Sequence, residues 1–564
     1  MRADRCALAV AGVLALSCFI GPIRNPDLWW HLSAGRSIAA RHAVPRADFL
    51  SHTRLDGAWV DFEWAPQLLY LAVHHAAGYQ GLIALRLLLM TGVLACSLAL
   101  LSLYGAGLYA QAGLILIEAC ALYPYGDLRP DNFSQLLFAL LLLGLEAWRL
   151  GRLKLDARRG AAAGGLLFAV WANLHLGLLY GLLLLGLYAA EAAWRGPRGS
   201  AKTSAAALGG ALLGCLCNPY GLGLFLVLPE HISYMDTISG IICEWKPARF
   251  ASWWVWPYAA LLAASAGGLA AALHSRRSPP AAISLAWVFF AATSIAHERH
   301  MAYFAVFTPP LLYTLVAGRE WTRRREVRVA ALTSAAALAA FLIVAIWPMH
   351  RGPRAPMPAR ELAAYLDANA PALGGLKLFN NWADGGYLGY KLWPRYLVFY
   401  DGRYIFHALL METQQAAFSV ERWKEFMDRH DVELACMTRS PLRPTFDHVK
   451  RKQGDDVQLR RPYYVKFMPQ QRWAMIYWDE REVIFARRDR VDAVWLRAHE
   501  YRALWPDDSP HIAYLSDQGL VSAEALEAEA RRHAGESAVA AAEGRGLAAW
   551  AMGARARWNE PVPR

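Results

Sequence analysis

Between residues 80 and 347 the chain repeats one pattern, in which apolar runs such as LLFALLLLGL and YGLLLLGLYAA alternate with short basic loops. A helix that crosses a bilayer needs about 20 mostly apolar residues, because no water is present to satisfy its backbone. The runs at 7–23, 80–104, 108–123, 132–150, 161–173, 176–194, 204–217, 253–273, 281–296, 301–318 and 329–347 are candidate spans. Several are short and predict tilted or partly re-entrant helices. The stretch 161–194 is tight for two crossings. The basic loops run from Arg149 to Arg159, Arg195 to Lys202, Arg276 to Arg277 and Arg319 to Arg328. Placing all four in the cytoplasm predicts an N-in, C-out topology of about eleven spans.

Composition agrees. Of 564 residues 56% are hydrophobic and 18% charged, which excludes a disordered chain, a fibrous protein and a purely cytosolic enzyme. A net charge of +12 would point to nucleic acid in a soluble protein, but here the arginines sit in the loops between spans, so no nucleic-acid partner is expected. Eight scattered cysteines do not make a disulfide framework. Residues 1–23 read as a retained first span, because Ala15-Leu16-Ser17-Cys18 is a poor lipobox and no A-x-A site follows.

With this topology most polar residues near the membrane fall on the outer side. They are Asp27, His31, Asp48, Asp61 and Glu63 in the first loop, then Asp127, Arg129, Asp131 and Asn132. Asn173, His175, Asn218, Glu244, Lys246 and His297 to His300 follow. Ionisable groups at membrane depth cost roughly 2.5–3.5 kcal/mol each, so a collection of them predicts a polar cavity rather than ordinary loop ends. The first outer loop, 24–79, is long and contains two amphipathic pieces, LWWHLSAGRSIAARH and APQLLYLAVHHAAG. Trp29, Trp30, Trp59 and Trp64 suit the headgroup level, so two interfacial helices are expected here.

A first span, then a carboxylate at the start of a long outer loop, many further spans and an outer C-terminal domain resemble the plan of the GT-C glycosyltransferases. That superfamily includes oligosaccharyltransferase catalytic subunits, protein O-mannosyltransferases and lipid A aminoarabinose transferases. The stretches Asn25 to Leu32, Gly35-Arg36, Val44 to Asp48 and Trp59 to Trp64 carry the resemblance to uncharacterised bacterial members, together with Leu128-Arg129-Pro130, Trp171 to His175 and Asn218 to Gly221. The resemblance covers roughly residues 1–490. It implies a polytopic α-helical membrane protein of the bacterial inner membrane, moving a sugar from a polyprenyl mono- or diphosphate to an extracytoplasmic acceptor that is a glycan, lipid or protein. By that analogy Asp27 is the general base, with His31, Asp48 and Glu63 beside it in the catalytic set. The sugar carbon passes through an oxocarbenium-like state, and departing phosphate gains charge that Arg129, Arg299 and His300 would stabilise. Asp48 and Glu63 also stand as oxygen ligands for Mg²⁺ or Mn²⁺, which some branches use and others do not. His297 and His300 are spaced i,i+3, which is not a zincin pattern.

The spans and the first outer loop make a domain over 1–348. Residues 349–490 predict an extracytoplasmic α/β domain, with strand character at 376–379, 397–400, 432–437, 474–477 and 483–486. Residues 491–564 form an Ala-, Glu- and Arg-rich helical extension. The loops Asn380 to Tyr387 and Asp401-Gly402-Arg403 follow predicted strands, where α/β sheets commonly place ligand sites. The first is loosely similar to the WWDYG motif of oligosaccharyltransferases, with Ala383 in place of the second Trp and Gly385 in place of Tyr. Trp382, Asp384, Gly385, Asp401 and Arg403 are accordingly the acceptor-binding candidates. Two other classes compete with an enzyme: a non-catalytic scaffold or glycan-binding protein, and a polymerase or transporter of polyprenyl-linked glycan.

Overall fold

The computed structural model describes residues 2–275, 279–316, 359–439, 444–450, 454, 456–537 and 541–553, with a few isolated residues between 337 and 346. The predicted span 329–347 and the loops at Arg276-Arg277 and Arg319 to Arg328 lie outside those residues, except for the isolated few. The chain divides into two units. Unit 1 holds Met1–Arg46 and Val60–Pro356, and unit 2 holds Ala47–Trp59 and Met357–Arg564.

Unit 1 is helical. Its elements are α1 (Arg2–Ser17), α2 (Leu28–Arg41), α3 (Trp64–Leu103), α4 (Leu108–Leu122), α5 (Asp131–Arg149), α6 (Ala157–Trp171), α7 (Leu178–Arg195), α8 (Arg198–Gly214), α9 (Val227–Ile241), α10 (Trp256–His274), α11 (Ala281–Ala296) and α12 (Met301–Val316). A helix therefore stands at each predicted span up to 301–318, and 161–194 contains two, α6 and α7. Among the described residues two helical stretches, Trp64–Leu103 and Trp253–His274, are long and apolar enough to cross a membrane. The second predicted amphipathic piece and the following span join into α3 through a kink at Gly78, whose φ of 57° and ψ of −146° suit only glycine. Helices α2 and α3 cross closely, and a Cβ on Gly35 would lie 2.5 Å from the Gln67 carbonyl oxygen. Helices α6 and α8 also meet backbone to backbone, at Gly164 against Ala207 and Gly210 against Ala161. Small residues permit that approach, the usual means of helix pairing in lipid. Two carboxylates inside the helices have hydrogen-bond donors. Glu118 accepts from Ser97 at 2.7 Å, and Glu146 accepts from Tyr188 and Arg149.

Unit 2 is α/β. In chain order it holds α13 (Arg360–Ala368), α14 (Ala370–Leu373), β1 (Leu378–Phe379), α15 (Trp382–Leu392), α16 (His407–Ala416), α17 (Val420–Arg429), β2 (Leu434–Thr438), β3 (Pro444–Lys450) and β4 (Asp456–Pro462). After these come α18 (Tyr464–Phe467), β5 (Trp473–Trp478), β6 (Glu482–Arg487), α19 (Ala493–His499), α20 (Ser509–Asp517), α21 (Ala523–Glu536) and α22 (Ala541–Gly553). The sheet order is β1-β2-β6-β5, with β1 parallel to β2 and the other pairs antiparallel. Cys436 faces Ile484 in register. Strands β5 and β6 are buried at every residue, which accounts for the apolar runs Trp473–Trp478 and 483–486. Strands β3 and β4 form a separate hairpin that the sequence did not announce. The C-terminal extension packs on this unit. His533 stacks on Trp478 at 3.6 Å, and Tyr501 donates to Glu536 at 2.5 Å.

Residues 47–59 of the first loop belong to unit 2. Ser51 bridges Val398 in parallel, with His52 N–H donating to Val398 O and Val398 N–H to Leu50 O, each at 3.0 Å. Trp393 Nε1 donates to Phe49 O at 3.1 Å, and Arg54 Nη1 to Ile405 O at 3.0 Å. The predicted strand 397–400 thus finds its partner in this finger, which pairs at a single bridge rather than as a full strand.

Candidate functional site

In unit 1 the residues that bear chemistry converge where α2, α5, α7 and α12 begin. Asp27 caps α2, and its N–H donates to Asn25 Oδ1 at 3.2 Å. His31, one turn on, is buried, and burial, with help from Arg129 and His175, holds its imidazole well below its usual pKa. Arg129 precedes α5 in the turn 126–130, and its N–H donates to Asn132 Oδ1 at 2.9 Å. Its guanidinium pairs through Nη1 with Glu244, which also accepts from Arg299 Nη1 at 3.1 Å. Burial opposes the charge on Arg129, but Glu244 and Asp27 hold its pKa above the ordinary value. Asp27 and Arg129 therefore share one electrostatic neighbourhood.

The segments bearing Glu244 and Arg299 are fastened to each other. His297 Nδ1 meets Trp245 O at 2.8 Å, and Glu298 N–H donates to Lys246 O at 2.9 Å. Arg249 grips Glu298 with two bonds of 2.8 and 2.9 Å. The Arg299 guanidinium lies 5.3 Å over the Trp245 ring. His300 packs against Trp245 and Tyr180, and burial lowers its pKa to about 4.

Glu63 precedes α3 and completes the cluster on the carboxylate side. Burial, then the charge of Asp61, pushes it well above the carboxylate range; Arg299 opposes, and Asp27 and Asp131 add to the rise. Its neighbour His175 lies 3.9 Å away through Nε2. His175 Nδ1 accepts the Gly177 N–H at 3.0 Å, so Nε2 carries the proton that faces Glu63. Burial lowers the His175 pKa to about 4, which keeps the ring neutral. Asp131 lies 3.5 Å from Nδ1 and accepts from Tyr303 at 2.6 Å and Gln135 at 3.0 Å. Asp61 accepts from Gln67 at 2.6 Å. The Tyr220 hydroxyl donates to Pro45 O at 2.6 Å and accepts the Asp61 N–H at 2.9 Å. It thereby ties together the two chain ends from which residues 47–59 depart.

The structure thus brings together Asp27, His31, Glu63, Arg129, Arg299 and His300. Asp61, Asp131, His175 and Glu244, all among the outer-side polar residues of the sequence, join them. These carboxylates are hard oxygen donors of the kind Mg²⁺ or Mn²⁺ prefers. Among the described residues, however, no three His, Cys, Asp or Glu side chains are arranged to hold an ion.

Asp48 belongs to unit 2 and is fully buried. It meets Arg403 Nη1 at 2.7 Å and accepts from Leu50 N, Ser51 N and Ser51 Oγ. Arg403 also grips Asp401 with bonds of 2.8, 2.8 and 3.0 Å, and lies 4.6 Å over the Trp59 ring. Asp48, Asp401 and Arg403 are each 1% exposed or less, so they fasten the finger to its domain and do not face solvent. Burial holds Asp401 above the carboxylate range even against Arg403. Asn380 joins the same two segments, accepting the Phe399 N–H at 2.8 Å and donating to Tyr400 O at 3.0 Å. Gly385 packs so closely that a Cβ would run into the Tyr400 carbonyl. Asp384 is buried beside Glu482, and burial raises both carboxyls. Asn381 donates to Glu482 at 2.9 Å. Trp382, half-buried, packs edge-on to Tyr400 at 5.3 Å.

No family model and no curated protein matches the chain. Solved structures do. Three of them are of the Archaeoglobus fulgidus oligosaccharyltransferase. The apo form gives a TM-score of 0.52 at 10% identity, covering 84% of this chain and 79% of that one. A form tethered by a disulfide to an acceptor peptide containing the NVT sequon gives 0.55 at 11%, covering 92% and 83%. A complex of this oligosaccharyltransferase, AglB, with an inhibitory peptide and a dolichol-phosphate gives 0.55 at 11%, covering 94% and 86%. The chain therefore has the fold of an archaeal oligosaccharyltransferase over most of both lengths.

Proposed function

We propose that this protein is a glycosyltransferase of the bacterial inner membrane, with its N-terminus in the cytoplasm. It transfers a sugar from a polyprenyl-phosphate-linked donor to an acceptor outside the cytoplasm. The observation that carries this reading is the sharing of Glu244 by Arg129 and Arg299 in unit 1, with Asp27 acting electrostatically on Arg129. A carboxylate within electrostatic reach of one of two paired guanidiniums supplies both ends of a displacement at the anomeric carbon. Asp27 accepts the proton of the acceptor hydroxyl as its oxygen forms the new bond. The bond to the phosphate oxygen breaks on the opposite face with inversion, and the departing phosphate keeps the electron pair. Arg129 and Arg299 each reach Glu244 through Nη1, and the remaining donors of both forks are suited to that phosphate. Glu244 holds the two forks side by side.

Likeness of fold to an enzyme solved with a dolichol-phosphate supports a lipid-linked donor. Acceptor recognition is assigned to the half-buried Trp382 rather than to Asp401 and Arg403, which are enclosed. The test uses the full chain in proteoliposomes, with a panel of radiolabelled polyprenyl-phosphate and polyprenyl-diphosphate hexoses and a cell-envelope extract as acceptor. Wild type is expected to transfer label from one member. Asp27→Asn is expected to lose transfer at least a hundredfold while inserting normally; a fully active Asp27→Asn protein removes Asp27 from the role of base.

A further inference from the structure

Two residues before Asp27 and two before Arg129, the chain is held by one carboxylate. Asp127 Oδ2 accepts the N–H groups of Arg24 and Asn25 at 2.7 and 2.8 Å. Its Oδ1 accepts the Leu128 N–H and Arg86 Nη1, both at 2.8 Å. Arg86 rises from α3 with its side chain 4% exposed, and it also donates to the carbonyls of Gly21 and Pro22. One ion pair therefore closes on both sides of the cluster. It fixes residues 21–25, whose Asn25 Oδ1 receives the Asp27 N–H, and it fixes the turn that presents Arg129.

The structure assigns to Asp127 and Arg86 the role of positioning residues that set the distance between the general base and the phosphate-binding arginine. This rests on the reading of the cluster as a sugar-transfer centre. Asp127 is suited to the task because it faces donors alone: three backbone N–H groups and a guanidinium. An amide in its place would turn an N–H₂ toward N–H groups and repel one of the two strands it joins. Neither residue needs to touch substrate. A small displacement of base against leaving-group cation is enough, since misplacement by about 1 Å can cost a hundredfold in rate.

The experiment compares wild type, Asp127→Asn, Arg86→Met and the double variant in proteoliposomes, using the donor of the panel that wild type accepts. Hydrogen exchange at the Arg24 and Asn25 amides is followed in parallel. Asp127→Asn is expected to lower kcat at least tenfold, change the donor KM less than threefold, leave the shape of the pH profile intact and speed exchange at both amides. The double variant is expected to be no worse than the poorer single one, as for residues acting as one unit. If Asp127→Asn does not accumulate, Asn25→Ala, which removes only the acceptor for the Asp27 amide, is expected to lower kcat severalfold at normal KM. Transfer within twofold of wild type in these variants, unchanged amide exchange, or loss of a limb of the pH profile overturns the proposal; the last would make Asp127 a proton-handling group. A wild type inactive with every donor overturns the reading of the site and this proposal with it. An active wild type with unaffected variants overturns this proposal alone.

Discussion

Replacing Arg403 by Met should release the finger 47–59 from unit 2, and the size of the effect follows from what is left behind. The guanidinium, 1% exposed, is gripped by Asp401 and by Asp48, both buried. Breaking a buried pair by removing one partner typically costs about 3–5 kcal/mol, because the other charge stays buried. Here two carboxylates are stranded, and their alternative is to bind protons. At pH 7 protonating a carboxyl of ordinary pKa costs about 4 kcal/mol, so the loss lies near the upper end of that range and below about 8. Asp48 keeps its three donors from Leu50 and Ser51, which favours protonation at Asp401 first. The sign with pH follows. Burial already raises the Asp401 carboxyl and Arg403 opposes the rise, so in the variant the folded state binds more protons there than the unfolded one, and stability falls as pH rises from about 4 toward 7. The deficit against wild type should therefore be largest at neutral pH and shrink toward pH 4. Denaturation of the full chain in detergent measures the total. Hydrogen exchange at the His52 and Val398 amides measures the finger itself, where protection should drop about a hundredfold or more. A variant within 1 kcal/mol of wild type, with both amides still protected or with a deficit that grows in acid, would refute the account of the triad as a fastener.

Glu63→Gln tests the raised pKa of Glu63. If the carboxyl is protonated at neutral pH, an amide mimics it and transfer should stay within about threefold of wild type, in contrast to Asp27→Asn; a loss comparable to Asp27→Asn would mean that ionised Glu63 is required. The same substitution should flatten the fall in stability as pH rises between the unfolded and folded pKa values of that group, read by denaturation at several pH values. Gly385→Ala sets a methyl against the Tyr400 carbonyl, a backbone atom that cannot rotate away. A loss of about 1–3 kcal/mol is expected in denaturation, and an unchanged midpoint would contradict the close packing of α15 on residues 398–400.

The helices at the ten predicted spans from 7–23 to 301–318 were legible because an apolar run of fixed length has few other fates; α9, which no predicted span covers, was not. The division at Gly78 was legible because an amphipathic stretch gives way there to an apolar one. The finger was not. Residues 47–59 show no strand alternation, and their pairing at Val398 lies some 350 positions away, where no local pattern can signal it. The hairpin β3–β4 was missed for a different reason: it is rich in charge and carries little apolar signal. In the site, sidedness put Asp27, Arg129 and Arg299 on a single list, but only the fold shows Glu244 joining the two arginines. Sidedness likewise grouped Asp48 with Asp27, since both lie in one loop, whereas the fold gives them to different units.

The two charged clusters show how a structural charge is told from a chemical one in a chain this apolar. Both contain arginine between carboxylates, and both hold a carboxyl above its usual pKa, so neither composition nor titration separates them. Access does. In unit 2 the side chains of Asp48, Asp401 and Arg403 are enclosed, and the guanidinium is held by the two carboxylates and lies over the rings of Trp59 and Phe406. In unit 1 the side chains of Arg129, Glu244 and Arg299 remain 32%, 22% and 28% exposed. An enclosed pair can only stabilise or destabilise a fold, whereas a partly open one can exchange its carboxylate partner for an incoming phosphate at modest desolvation cost. The histidines nearby sharpen the difference. Burial lowers the pKa of His31, His175 and His300, so they add no competing positive charge, and on the proposed reading of the site Arg129 and Arg299 are the cations offered to the phosphate.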